Sequence, residues 1–286
     1  MAGKNLVLVS GATGQQGGAI ARELLAAEWP VRAMTRKPES DAARALAALG
    51  AEIVKADLDD EPSLRRALDG AWGGVGVQNT WEAGVEREEE QGKRFARMVK
   101  DAGVQHFLYQ SVASAHRDTG IPHFENKWRV EGTLRELGIP SWTILRPVFF
   151  MENLLGPWFK PYVDQGTLAI GMKPETKLQM IAVRDIGKYG RAVFERHAEL
   201  NGRDIDIAGD ELTGLEMAAI LSEVTGRPIN FHQVPIDQVR AGSEDFAMML
   251  EWFDAVGYDA DIEKNAKEFG VRPTRFREWA KEQRWS

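Results

Sequence analysis

Short apolar runs alternate with longer amphipathic stretches through about the first 150 residues of the chain. The apolar runs are rich in β-branched residues and end at Gly, Pro, Asp or Ser, which is typical of strands. The predicted strands are Leu6–Ser10, Val31–Thr35, Glu52–Ala56, Gly74–Asn79, His106–Ser111 and Trp142–Leu145. The stretches between them predict helices over Gln15–Glu28, Asp41–Leu49, Glu61–Leu68, Val85–Ala102 and Phe124–Leu137. This alternation predicts an α/β fold with a doubly wound parallel sheet and helices on both faces.

The alternation of short apolar runs and amphipathic stretches ends after Pro147, where aromatic residues and glycines become frequent. The rest of the chain predicts one strand at Asp204–Ala208 and helices at Asp185–Arg196, Leu215–Thr225, Asp237–Val256 and Thr274–Gln283. We therefore expect a nucleotide-binding domain over residues 1–155, completed by residues 182–208. Residues 156–181 and 209–286 are expected to form a smaller α/β lobe that binds the substrate.

Composition narrows the classes of function. The 286 residues carry 43 acidic and 36 basic side chains, a formal charge of −7, which disfavours binding to nucleic acid or to an anionic membrane. There is no cysteine, so thiol redox chemistry and cysteine-bound metals are excluded. The five histidines have no metal-binding spacing, and no metal site is expected. The first apolar run is too short for a signal core or a membrane span, and we expect a cytoplasmic protein.

A glycine-rich segment, Ser10-Gly11-Ala12-Thr13-Gly14-Gln15-Gln16-Gly17-Gly18, follows the first predicted strand and opens a helix. At that position in a doubly wound sheet, glycines allow the backbone to approach a pyrophosphate, and the helix N–H groups face the anion. A simple glycine-rich turn is the alternative interpretation. The predicted contacts to a dinucleotide are Gly11, Thr13, Gly14, Gln15, Gln16 and Gly17.

The second strand ends at Thr35-Arg36-Lys37, where an acidic residue would bind the ribose of NAD(H). A guanidinium beside an ammonium suits a 2′-phosphate instead, so NADP(H) is favoured over NAD(H). A solvated basic turn is the alternative. After the third strand, Asp57-Leu58-Asp59-Asp60 supplies at least one helix N-cap.

These segments resemble, in their order and combination, the NmrA-like branch of the atypical short-chain dehydrogenase/reductases. The resemblance also rests on Gln78-Asn79-Thr80-Trp81, Gln110-Ser111, Phe124-Glu125-Asn126-Lys127 and the segment from Arg146 to Asn153. It implies a Rossmann domain with NADP(H) lying across the strand ends. The resemblance further implies that Asp57 and Leu58 flank the adenine, and that the nicotinamide lies near Asn79, Ser111, Lys127, Pro147, Phe149 and Phe150.

The sequence departs from the wider superfamily at the Tyr-x-x-x-Lys motif. None of the four tyrosines has a lysine four residues later, and His123 stands in the tyrosine's place one helical turn before Lys127. We expect Lys127 to bind the nicotinamide ribose, and either His123, as a general acid, or water to deliver a proton. The alternatives are a solvent-exposed histidine and an exposed helix lysine. NmrA-like proteins commonly lack the tyrosine, and some are regulators that sense the nucleotide.

Aromatic and apolar residues in both parts of the chain are candidates for a pocket that takes a flat apolar molecule. The predicted pocket residues are Trp81, Phe124, Trp128, Met151 and Trp158. Ordinary core packing is the alternative for each of them. The charged run Glu86–Glu90 is interpreted as a solvated helix face.

Two hypotheses of function follow. The first is an NADPH-dependent reductase of a small aromatic or conjugated substrate, such as a quinone, imine, enone or carbonyl compound. The second is a non-catalytic NADP(H) redox sensor that acts through a protein partner. A small-molecule substrate is expected for the first, and a protein partner or a homo-oligomer is compatible with either.

Overall fold

The structure is a computed structural model that describes residues 4–285. The strands are β1 (Val7–Val9), β2 (Val31–Thr35), β3 (Glu52–Lys55), β4 (Gly73–Gly76), β5 (His106–Gln110), β6 (Ser141–Pro147), β7 (Phe149–Phe150), β8 (Thr167–Ile170), β9 (Lys177–Ile181), β10 (Arg203–Ile207), β11 (Asp210–Thr213) and β12 (Asn230–Gln233).

The helices are α1 (Gln15–Ala26), α2 (Asp41–Ala48), α3 (Glu61–Leu68), α4 (Thr80–Ala83), α5 (Val85–Asp101), α6 (Pro122–Glu136), α7 (Lys160–Val163), α8 (Val183–Glu195), α9 (Gly214–Thr225), α10 (Ile236–Gly242), α11 (Glu244–Ala255), α12 (Ile262–Phe269) and α13 (Phe276–Lys281). Short 3-10 helices cover Ala115–Arg117 and Met151–Leu155. Within the described residues, none of the helices is long and apolar enough to cross a membrane.

The chain forms two compact units. The first extends through Ala115 and also includes His123–Arg146 and Ile186–Ile205. The second comprises His116–Pro122, Pro147–Asp185 and the described chain from Asp206 onward.

A seven-stranded sheet in the order β10-β6-β5-β4-β1-β2-β3 forms the framework of the first unit. Its neighbouring pairs from β6 to β3 are parallel. The six predicted strands of the first half are all present, β2 with the predicted bounds and the other five with shifted ends, and the strand predicted at Asp204–Ala208 is β10. The predicted doubly wound α/β fold is therefore confirmed. Chain order reverses at β1, and ligands of such sheets bind at this switch point, beyond the carboxyl ends of the strands.

Both faces of the sheet are covered by helices. On one face Leu8 belongs to a buried cluster with Leu64 of α3, Phe95 of α5 and Val130 of α6. On the other face, Phe194 of α8 packs so closely on β4 that a Cβ on Gly73 would lie 2.8 Å from its ring. The glycines of β4 therefore serve packing, because they leave room for aromatic rings.

The second unit contains two small sheets that the sequence analysis did not predict. One has the order β11-β9-β7, with β9 and β11 antiparallel, and the other pairs β8 with β12 in parallel. The single helix predicted over Asp237–Val256 is wrong, because the chain forms α10 and α11 with a break at Ser243. The Ser243 side chain accepts a hydrogen bond from the Phe246 N–H at 3.2 Å and so caps α11.

Candidate functional site

The glycine-rich loop leads from β1 into α1 at the switch point of the sheet. Gly11 has φ +59°, and the Gly14 N–H donates to the Gly11 carbonyl at 2.9 Å. A Cβ on Gly17 would lie 2.5 Å from that same carbonyl oxygen. The first turn of α1 can therefore pack against the loop only because residue 17 is a glycine.

The amino end of α1 suits an anion. Gly14 is its N-cap, and among the described residues no side chain caps this helix and no acidic residue lies in its first turn. By contrast, Ser40 and Thr213 cap α2 and α9 with their side chains. The N–H groups and the positive end of the helix dipole at α1 are thus left for a negatively charged group.

The loop after β1 is joined to the loop after β4. The Ser10 hydroxyl donates to the Val75 carbonyl at 3.0 Å and accepts from the Val77 N–H at 2.8 Å. Thr13 lies on the other side, with its hydroxyl 3.5 Å from that of Thr35 at the end of β2. These contacts fix the loops on both sides of the switch point.

Arg36 and Lys37 follow β2 directly, and both are exposed. The Arg36 guanidinium forms an ion pair with Glu82 of α4, and each of these side chains is 54% exposed. The hydrogen bond that Arg36 donates to Glu82 raises the pKa of Arg36 above its ordinary value. The backbone turn is held by the Lys37 N–H, which donates to the Thr35 hydroxyl at 3.1 Å.

The loop after β3 is anchored to α5. The Asp57 carboxylate accepts from the Asp59 N–H at 3.0 Å, which makes it a local turn partner. The Asp59 carboxylate accepts from Arg87 at 2.6 Å and from Gln91 at 2.8 Å. Arg94 donates to the Leu58 carbonyl at 2.9 Å. Asp57 and Leu58 are therefore presented by a loop with little freedom to move.

A buried ion pair joins α5 to α6. The Lys127 Nζ lies 2.6 Å from Glu88 Oε1, and Asn126 donates to the other carboxylate oxygen at 2.8 Å. The Thr80 hydroxyl also donates to Glu88. Burial alone would raise the pKa of Glu88, but the Lys127 charge and these hydrogen bonds hold it below the usual range. Lys127 is thus a buried, fixed ammonium, in contrast to the exposed lysine of the alternative interpretation.

The interpretation of Glu86–Glu90 as a solvated face is wrong for one residue. Glu88 is 1% exposed, whereas Glu86 and Glu90 are exposed. The signal was in the sequence, because Glu88 stands four and seven residues before Gly92 and Phe95, both of which are buried. That spacing places Glu88 on the core-facing side of the helix.

His123 lies in the first turn of α6, one turn before Lys127, and is buried rather than solvent-exposed. Its ring centroid lies 5.3 Å from that of Trp81 and 4.7 Å from that of Phe124. Trp81 is 63% exposed, while Phe124 is fully buried. Of the predicted pocket residues in this unit, Trp81 and Phe124 therefore lie together around His123. Trp128 instead stacks on a guanidinium, 4.8 Å from Arg135.

Three buried polar side chains at the carboxyl ends of β4 and β5 lack partners. Within residues 4–285, the amide atoms of Gln78 and Gln110 and the hydroxyl of Ser111 have no hydrogen-bond partner. Buried polar groups are rarely left unpaired, and each costs free energy when it is. Their free hydrogen-bonding atoms fit a polar ligand at the carboxyl ends of β4 and β5. Ser111 was predicted as a cofactor contact, whereas Gln78 and Gln110 were named only as members of the segments that carry the family resemblance. Asn79 holds the start of α4, since its side chain accepts from the Trp81 N–H at 3.1 Å.

The second unit holds the remaining predicted residues. Phe149 lies in β7 with its ring centroid 6.3 Å from that of Phe159, and Pro147 and Met151 are buried. Phe150 is partly buried, and Trp158 is 76% exposed. In the part of the chain that the structure describes, no group of three or more His, Asp or Glu side chains is arranged to hold a metal ion.

Comparison with known proteins places this geometry in context. The model of the NmrA-like family matches residues 3–280. The chain is 31% identical over 256 residues to the NmrA-like family domain-containing oxidoreductase FrzB of Cladobotryum sp, covering 80% of this chain and 76% of that protein. It is 28% identical to the NAD(P)H azoreductase of Xenophilus azovorans, covering 88% and 85% of the two chains.

Among solved structures, the fold is similar to that of NmrA, a negative transcriptional regulator, in complex with NADP. The TM-score is 0.81 at 20% identity, and the match covers 98% of this chain and 95% of that one. This likeness concerns the fold.

Proposed function

Because the chain belongs to the NmrA-like family, we propose that it is an NADPH-dependent reductase of a small aromatic or conjugated substrate. The observation that carries the proposal is the switch-point edge of the first unit. There the uncapped amino end of α1 lies at the same sheet edge as Gln78, Gln110 and Ser111, whose hydrogen-bonding capacity is unmet within the described residues. A dinucleotide supplies both an anion for the helix and polar groups for these side chains.

Arg36 and Lys37 support the preference for NADP(H). They stand where an NAD(H) site places a carboxylate, and a guanidinium binds a phosphate dianion in a fork geometry. Asp57 lies after β3 and not at the end of β2, where an NAD(H) site places its carboxylate. Replacing both basic residues with Gln should weaken the binding of NADPH and leave that of NADH nearly unchanged.

Lys127 is proposed to bind the nicotinamide ribose. Its ammonium is held by Glu88 and has donors left over, since an ammonium has three N–H groups. The buried carboxylate fixes where those donors point, which favours one orientation of the sugar. When bound, a reduced nicotinamide would supply a hydride.

The substrate class follows from Trp81 and His123. An exposed indole beside a buried imidazole offers a flat face next to a side chain that can act as a general acid. Flat conjugated acceptors suit the face of the exposed indole. Their reduction also depends less on a proton donor, because the product is stabilised by delocalisation. The relatives named as an oxidoreductase and as an NAD(P)H azoreductase support this choice.

The second candidate is a non-catalytic NADP(H) sensor. It is favoured by the absence of Tyr-x-x-x-Lys from the sequence and by the likeness in fold to NmrA, a transcriptional regulator. The two functions are separated by NADPH oxidation measured with quinones, azo compounds, enones and aldehydes. Turnover of one class supports the reductase, whereas tight binding without turnover of any class supports the sensor.

A further inference from the structure

An ion pair crosses the switch point of the sheet. Arg36 follows β2 and Glu82 lies in α4, which follows β4, and these two strands flank β1 and its glycine loop. Each side chain is 54% exposed, so a ligand in solution can reach both. The guanidinium assigned to a 2′-phosphate therefore already has an anionic partner within the chain.

The position of Glu82 is set by the structure around it. The Asn79 side chain accepts from the Trp81 N–H at 3.1 Å, and the Ala83 N–H donates to the Asn79 carbonyl at 3.0 Å. The Thr80 hydroxyl donates to the buried carboxylate of Glu88. The start of α4 is thus fixed to the body of the first unit, and this presents Glu82 to Arg36.

A carboxylate and a phosphate use the same fork of guanidinium donors. Glu82 occupies the Nη2 donor of Arg36, so a 2′-phosphate that binds through Nη2 must displace Glu82. If the phosphate binds through the other guanidinium N–H groups instead, the two anions still lie close together and repel each other. NAD(H) has a neutral hydroxyl at that position and therefore does not compete with Glu82 for the guanidinium of Arg36.

We infer that Glu82 is a specificity-determining residue that competes with the 2′-phosphate of NADP(H) for Arg36. The inference rests on the nucleotide site of the proposed function. Its consequence is that the preference for NADP(H) over NAD(H) is weaker than Arg36 and Lys37 alone would give. Exposed ion pairs are weak, so removing the competitor should tighten binding by about two- to five-fold, and less at high salt.

The test uses the full chain and two adenosine fragments. Adenosine 2′,5′-bisphosphate carries the 2′-phosphate, and 5′-AMP lacks it. Calorimetric titration compares the unmodified chain with Glu82→Gln, Arg36→Gln and the double variant. Glu86→Gln is the matched control, because Glu86 is an exposed carboxylate near by, on α5.

We expect Glu82→Gln to tighten binding of the bisphosphate about two- to five-fold and to leave that of 5′-AMP unchanged. In the Arg36→Gln background most of this gain should disappear, and Glu86→Gln should give little of it. The inference is overturned if Glu82→Gln has no effect, changes both fragments equally, or acts as strongly without Arg36. It is also overturned if neither fragment binds. Because the fragments lack a nicotinamide, a chain that binds them but never oxidises NADPH removes the reductase proposal alone.

Discussion

The Nζ of Lys127 lies 2.6 Å from Oε1 of Glu88, and both residues are buried. This pair joins the helix that carries the proposed ribose-binding lysine to the helix that packs under the sheet. Charges in such a place are stable only together, because each alone would lose its hydration without a counter-charge. The pair therefore links the stability of the first unit to the geometry of its proposed site.

Removing one partner of the pair should destabilise the protein, and the effects of removing the two partners should not be additive. Lys127→Met or Glu88→Gln alone should lower the free energy of unfolding by about 3–5 kcal/mol, because each leaves one buried polar partner uncompensated. The double variant should lose less than the sum of the two by about 2 kcal/mol. Urea denaturation of the four proteins measures this coupling, and strictly additive losses would show that the pair has no energetic role.

Gly17→Ala should disable the glycine loop. The new methyl group would lie 2.5 Å from the Gly11 carbonyl oxygen, so the backbone must shift, at a cost of about 1–3 kcal/mol. Nucleotide binding should weaken at least about tenfold, because the loop would move away from the pyrophosphate.

Gly132 provides the matched control, since it is also a helical glycine. A Cβ there meets no atom within 4 Å, and Gly132→Ala should stabilise the protein by about 0.5–1 kcal/mol. Thermal unfolding and NADPH titration of both variants give the comparison. Equal effects of the two substitutions on binding would contradict the assigned role of Gly17.

His106 should make the protein sensitive to mild acid. Burial, and in smaller part the nearby His197, lowers its pKa from 6.5 to about 3. Its Nδ1 lies 2.9 Å from the Ser141 hydroxyl inside the first unit. As the pH falls below 6.5, His106 is therefore protonated in the unfolded chain before it is protonated in the folded one. The free energy of unfolding decreases until the pH reaches about 3.

Between pH 7 and 5 the contribution of His106 is a loss of about 2 kcal/mol. His106→Gln should remove that part of the pH dependence whatever its effect at pH 7. His232→Gln, at an exposed histidine of β12, should leave it in place. Urea denaturation midpoints are measured for each protein at pH 7 and pH 5. If the stability of His106→Gln falls between these pH values as much as that of the unmodified chain, the assignment to His106 is wrong.

The fold was largely predictable because its signals are local. Strand and helix periodicity predicted the parallel sheet, and the position of the Gly11–Gly18 loop after the first strand predicted the strand end at which a nucleotide is expected. The second unit was harder. β7 and β11 are short, and the break at Ser243 depends on one side chain capping the next helix. The sequence does carry a signal for this break, because Gly242 is typical of a helix end and Ser243 of a helix N-cap.

The candidate site was only partly predictable, because its contacts join distant segments. The ion pairs of Arg36 with Glu82 and of Lys127 with Glu88 cross from one crossover unit of the sheet to another. Charge patterning alone gave the wrong environment for Glu88. The helical spacing toward Phe95 carried the correct information, and weighing it against charge would have found the residue.

His123 should matter only when the substrate needs a proton. His123→Phe keeps an aromatic ring beside Trp81 and removes the donor. Reduction of an unactivated carbonyl compound should fall about 100-fold, while hydride transfer to a quinone or a conjugated cation should stay within about threefold. Full activity of His123→Phe on both kinds of acceptor would show that the proton comes from elsewhere.

The reductase assignment is tested most directly by NADPH oxidation with the unmodified chain. NADPH and NADH are supplied in turn with a panel of quinones, azo compounds, enones, imines and aldehydes, and loss of the reduced cofactor's absorbance is followed together with product formation. We predict turnover of at least one conjugated class, with a higher kcat/KM for NADPH than for NADH. Tight NADPH binding with no turnover of any class would contradict the reductase assignment and leave the sensor.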